Sequence, residues 1–179
     1  MVDMQFLLDE AISAGLSKAV PLNCDALKFL PAVRDMCAAD KCHSYGKNWA
    51  CPPGCGSIEE CAARAAKYSI GVLVQTVGTL EDEYDFESMH QLSVDHKESF
   101  AKYVDVLRER YPNLLPLGAG GCTLCKECTY PDKPCRFPQK QFSSMEANGL
   151  LVSDVCIQSG LPYYYGKGTL AYTSCILVE

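Results

Sequence analysis

The chain has 179 residues, 48% of them hydrophobic and 21% charged, with 16 basic and 22 acidic side chains giving a net charge of −6. That length fits one domain with a sizeable core, so cross-links are not needed for folding. The acidic balance and the lack of a basic run argue against nucleic acid as a main partner, and no apolar run nears the roughly 20 residues of a membrane span. In chain order, residues 3–14 have an amphipathic helical pattern, with Phe6, Leu7, Ala11 and Ile12 inward and Gly15 as the stop. A strand is predicted over 17–22. Ser57-Ile-Glu-Glu60 is a capping box, predicting a helix from Ser57 to Tyr68. Residues 69–77 have the apolar run of a buried strand. Glu81–Glu87 suits a solvated loop or a helix start.

From Met89 to Arg110, Met89, Leu92, Phe100, Tyr103, Val104 and Leu107 fall at helical spacing. His96 shares that stripe and is taken as a helix-side histidine, not a ligand. A strand is expected at Leu114–Leu117. Ser143-Ser-Met-Glu146 resembles a second capping box opening another helix. Tyr163–Tyr165 and Thr169–Val178 suggest a terminal hairpin about Gly166-Lys167-Gly168. The Gly-Lys-Gly turn lacks the spacing of a phosphate-binding loop. The alternation predicts a single α/β or α+β domain, with one central sheet and packed helices.

The anomaly is cysteine. There are 12, about 7% of the chain, just under the roughly 8–10% of small disulfide scaffolds. Met1–Leu8 has neither the basic nor the apolar region of a secretory signal, so a reducing cytoplasmic setting is expected, where stable disulfides are uncommon. Thiols in such a chain point to metal.

Two cysteine-rich loops, 37–61 and 118–138, carry the signal. Cys122-x2-Cys125-x2-Cys128 forms a tripod, and Cys135 follows. Three thiolates at x2 spacings can reach three corners of a cubane iron–sulfur cluster, with a later cysteine for the fourth. Here the last gap is six residues, longer than the bacterial ferredoxin run, so Cys135 could serve its own cluster or the other. Gly120 and Gly121 would let backbone N–H groups approach the anionic sulfurs. Zinc is the alternative, though it prefers paired Cys-x2–4-Cys knuckles. In the other loop, Cys37, Cys42 and Cys51 are the candidate ligands, with Cys61 or Cys55 as the fourth. The turn at Gly54 and Gly56 leads into the positive end of the helix that Ser57 caps. A third option leaves one iron open to substrate. His43 is more readily a surface histidine than a ligand. Cys24, Cys156 and Cys175 sit in apolar contexts and suit the core.

The segment Cys42-His-Ser-Tyr-Gly-Lys-Asn-Trp-Ala-Cys51-Pro-Pro-Gly resembles family 2284 of the domains of unknown function. So do Gly121-Cys122-x2-Cys125-x2-Cys128-Thr-Tyr-Pro and Pro134-Cys135-Arg-Phe-Pro138. The resemblance covers residues 20–178 and implies a small, cytosolic, metal-binding protein of anaerobic prokaryotes, without naming a reaction. Cys55 is unusual beside the family pattern, which tilts the fourth-ligand choice toward Cys61.

Two [4Fe–4S] clusters serving one-electron transfer to a redox partner protein are the leading expectation. Lys47 would then balance cluster charge and Trp49 would shield it from water. An enzyme with an open iron, using Lys47, His43 or Tyr45 as neighbouring groups, is a second. A zinc-stabilised interaction module is a third.

Overall fold

The computed structural model describes residues 1–179. The order is α1 (Met4–Ser13), β1 (Lys18–Pro21), α2 (Pro31–Ala38), α3 (Ile58–Ala65), β2 (Ile70–Thr79), α4 (Phe86–Arg110), β3 (Leu114–Leu117), α5 (Val152–Gln158) and β4 (Thr169–Val178). The four strands form one sheet in the order β1-β2-β4-β3, and every pairing is antiparallel. The fold is therefore α+β. None of the helices is long and apolar enough to cross a membrane.

Alternation along the two long central strands builds a core on each face. Val72, Val74, Ile176 and Val178 meet α1 and α4 through Leu7, Ala11, Phe100, Tyr103 and Leu107. Leu73, Cys175 and Leu177 face the other way, onto Leu150, Val155, Cys156 and Leu161. Burial on both faces explains why β2 is a continuous apolar run. Cys156 and Cys175 are core residues, both fully buried, and Cys24 is half-buried against the second core.

Gly71 lies in β2, paired with Leu177 of β4. A Cβ there would stand 2.8 Å from the Ile176 carbonyl oxygen and 2.9 Å from Leu22 Cδ2. Backbone cannot yield cheaply, so Gly71→Ala is expected to cost about 1–3 kcal/mol, read as a lower urea midpoint at unchanged slope.

Several expectations need correction. Ile12 points to solvent at 52% exposure. The inward stripe of α1 is Leu7 and Ala11, four residues apart, with Met4, Phe6 and Leu8 beside it. The Ser143–Glu146 capping box opens no helix. Ser144 Oγ does accept the Ala147 N–H at 3.0 Å, but Asn148 Nδ2 donates back to the Ser144 carbonyl at 2.8 Å. Gly149 then turns left-handed at φ +89°, and the next helix starts only at Val152. The terminal hairpin is also absent. Tyr163–Tyr165 forms no strand, and β4 pairs with β2 and β3 instead. The Ser57–Glu60 box is real in both directions, although its helix ends at Ala65, short of Tyr68. Asp85 caps α4 through the Ser88 N–H, so the acidic stretch supplies a loop and then the first helical turn.

Candidate metal centre

Both cysteine loops are long excursions without strands or α-helices. The first spans 39–57, between α2 and α3. The second leaves β3 at Gly118 and rejoins the body at Ser144, where the two residues form a parallel bridge. Gly118 N–H donates to the Ser143 carbonyl at 2.8 Å, and Met145 N–H donates to the Gly118 carbonyl at 3.0 Å. Loops of this length in a folded body are commonly functional.

The first loop is shaped by its own polar groups. Asp40 and His43 are both left-handed, at φ 50° and 56°. The Asp40 carboxylate accepts the Tyr45 N–H at 2.9 Å, and this bond holds its carboxyl below the usual range. Lys47 Nζ donates to the His43 carbonyl at 3.0 Å and lies 3.7 Å from Asp40. Lys47 is thus a strut within its own loop. Trp49 reaches across: its Nε1–H donates to the Lys133 carbonyl at 3.0 Å, and its ring meets Tyr130 edge-on at 4.9 Å. The indole laces the two loops together.

This lacing brings most of the predicted thiols into two adjoining groups. Cys37, at the end of α2, has Cys42 and Cys51 as electrostatic neighbours. Cys122 has Cys135, Cys125 and Cys128. Cys51 and Cys122, one from each group, are near enough to act on each other electrostatically. Burial pushes the thiols of Cys37, Cys51 and Cys122 upward, so they hold their protons until something displaces them. The second loop is braced by Arg136, which donates to the Glu127 carbonyl at 2.8 Å. Thr129 Oγ1–H donates to the Pro134 carbonyl at 2.9 Å, and the Phe137 N–H approaches Cys135 Sγ at 3.4 Å. No three His, Cys, Asp or Glu side chains converge tightly enough to share one ion. An all-sulfur donor set fits a thiophilic metal or an iron–sulfur cluster.

Lys97 joins this region without any hint from its neighbours in sequence. It extends from α4, half-buried, and its Nζ donates to the Gly121 carbonyl at 2.9 Å. Burial draws its ammonium downward, while Cys122 and Cys51 nearby act in the opposite sense. Lys97 therefore stands at the junction where a positive charge was expected from Lys47. Gly120 is left-handed at φ +67°, and a Cβ on it would come within 3.9 Å of Lys97.

Cys55 and Cys61 have a different setting. Both are buried, at 7% and 1% exposure, and Cys61 Sγ lies 3.8 Å from the Cys55 carbonyl oxygen. Cys55 Sγ also faces the Ala147 carbonyl at 3.5 Å. Cys61 Sγ lies 3.1 Å from Arg64 Nη2 and 3.8 Å from Arg34 Nη1. The same guanidinium groups donate at 2.8 Å to the carbonyls of Cys55 and Gly56. The Cys55 contact, then the two arginines, pull the Cys61 thiol down to about 6 against the opposing effect of burial. The Cys61 neighbour, then burial, push the Cys55 thiol upward.

A cleft of about 770 Å³ opens beside both features. Cys55, Arg64, Trp49, Cys135, Arg108 and Lys133 are among its walls. No curated protein and no solved structure matches the chain. The family of predicted metal-binding proteins DUF2284 matches over residues 20–178, and with its thiol-rich loops the chain belongs to that family.

Proposed function

We propose that the protein binds two [4Fe–4S] clusters and passes single electrons to a partner protein. Cys37, Cys42 and Cys51 would hold one, and Cys122, Cys125, Cys128 and Cys135 the other. The observation that carries this reading is that Cys51 of one thiol group and Cys122 of the other are near enough to act on each other electrostatically. Neighbouring clusters supply a one-electron path when bound. The contiguous Cys122-x2-Cys125-x2-Cys128 run supports a cluster over a lone zinc ion, which prefers paired Cys-x2–4-Cys knuckles. Lys97 and its bond to Gly121 would offset part of the thiolate charge. A net charge of −6 would favour a basic redox partner. A reducing cytoplasm would keep the thiols available.

A second reading, catalysis on a small bound molecule, is favoured by the cleft beside Cys135. It would use the same metal groups, with the first offering three thiols and one position for a ligand from outside the chain.

Anaerobic purification followed by iron, sulfide and zinc analysis tests the proposal. About eight irons and eight sulfides per chain are expected, with absorption near roughly 400 nm. A colourless, iron-free protein carrying zinc would overturn both readings.

A further inference from the structure

We propose that the cleft beside the cysteine loops binds a small aromatic oxyanion, a flat ring carrying a carboxylate or a phosphate. The proposal rests on the reading of this cleft as a ligand site and adds the class of molecule that fills it. Its basis is a set of cations without matching acids. Arg64, Arg108 and Lys133 line the cleft, and Asp132 is the one acidic residue in its wall. The three cations come from α3, α4 and the second loop, so three separate elements bring positive charge to one space.

These charges are open to a ligand. Neither Arg64 nor Lys133 forms an ion pair within the chain. Arg108 has only Asp105, at 3.6 Å, whose side chain is 58% exposed, and such surface pairs hold weakly. Arg64 is half-buried, where a charge gains most from a partner. Its Nη2 serves the Cys55 carbonyl and the Cys61 sulfur, while Nη1 and Nε have no partner in the chain. A guanidinium with free donors takes an oxyanion readily.

The rest of the wall selects a ring. Trp49 and Phe142 supply aromatic surface, and the Arg108 guanidinium stands over the Phe142 ring at 5.8 Å. Flat rings stack on faces of both kinds. Leu114–Leu117 add an apolar side. They form β3, an edge strand of four residues, which could in principle take up a peptide strand. Pro116 withholds one backbone donor from that short edge, which favours a compact molecule over a peptide. A volume of about 770 Å³ suits such a molecule.

The test is equilibrium dialysis of the full chain, purified anaerobically, against three probes built on one ring system: 2-naphthoate, 2-naphthyl phosphate and neutral 2-naphthamide. At low salt the two anions are expected to bind about tenfold tighter than the amide. That preference should shrink at about 1 M salt. Either anion leading supports the proposal, and their order assigns the oxyanion to a carboxylic acid or a phosphate ester. Arg108→Ala, on α4 and outside both loops, should weaken the anions about tenfold and leave the amide unchanged, with Arg108→Lys recovering part of the loss. The metal content of each protein is measured alongside and should stay constant, which separates the cleft from the loops. Equal binding of all three probes would overturn the oxyanion class while leaving a ligand site. No binding of any probe would overturn the cleft as a site for such rings altogether. Tight anion binding that survives unchanged in both Arg108→Ala and Lys133→Ala would place the anion elsewhere and overturn the assignment.

Discussion

Cys128→Ala, purified without oxygen, is expected to hold about half the iron and sulfide of the wild-type chain. Cys122→Ala should do more. Its thiol is an electrostatic neighbour of Cys125, Cys128 and Cys135 and also of Cys51, and Lys97 braces the backbone just before it. Removing Cys122 therefore takes a ligand from the second group and disturbs the wall of the first. The remaining iron should show a shifted spectrum, whereas in Cys128→Ala the remaining cluster should keep its wild-type spectrum. The loops should respond too, since a bound metal group would add to the hydrogen bonds that hold residues 39–57 and 118–143. Limited proteolysis of Cys122→Ala is expected to cut in these loops while the sheet stays intact. Equal iron in wild type and both variants would remove these thiols from the ligand set.

What the sequence disclosed follows from the range over which each signal acts. The cysteine spacings are local, so the two loops could be delimited without a structure. Ser57 and Glu60 bond each other across one helical turn, and that start was legible for the same reason. Helices α2 and α5 were not. Leu30 and Leu151 precede them, and neither makes a side-chain cap bond, so both helices depend on tertiary packing. Ser143–Glu146 misled because the capping bond at Ser144 is satisfied equally well inside a turn. The pairing of β4 with β2 joins residues about a hundred positions apart, where a nearby glycine turn offered a false hairpin. The site divides along the same line. Arg34 and Arg64 reach the Cys61 sulfur from α2 and α3, and Lys97 reaches the Gly121 carbonyl from α4, and no motif marks them. Cys55 and Cys61 looked like competitors for one ligand position. Their shared burial and the two arginines became apparent only in three dimensions.

The largest effect on stability is expected at His96. The ring is buried between α4 and the sheet at 1% exposure. Thr76 Oγ1 stands 2.8 Å from Nδ1 and Ser174 Oγ 2.8 Å from Nε2, which uses both nitrogens and leaves none for a metal. Phe100 and Tyr172 stack about it at 6.1 Å each. Burial is the main reason its imidazole is drawn down from 6.5 to about 4, with the Lys97 charge adding to it. The unfolded chain thus binds the proton more readily than the folded one. Stability is full above about pH 6.5 and falls as the pH drops through about 4, a loss on the order of 3 kcal/mol. His96→Gln keeps a polar side chain and cannot titrate there. Urea unfolding of both proteins between pH 7.5 and 4.5 should show the steeper decline in the wild type, with carboxylate effects common to the two. His96→Leu should lose about 2–5 kcal/mol even at neutral pH, because the Thr76 and Ser174 hydroxyls are left buried without their partner. Matching slopes in wild type and His96→Gln would show that the imidazole's burial has no hold on the acid stability of the fold.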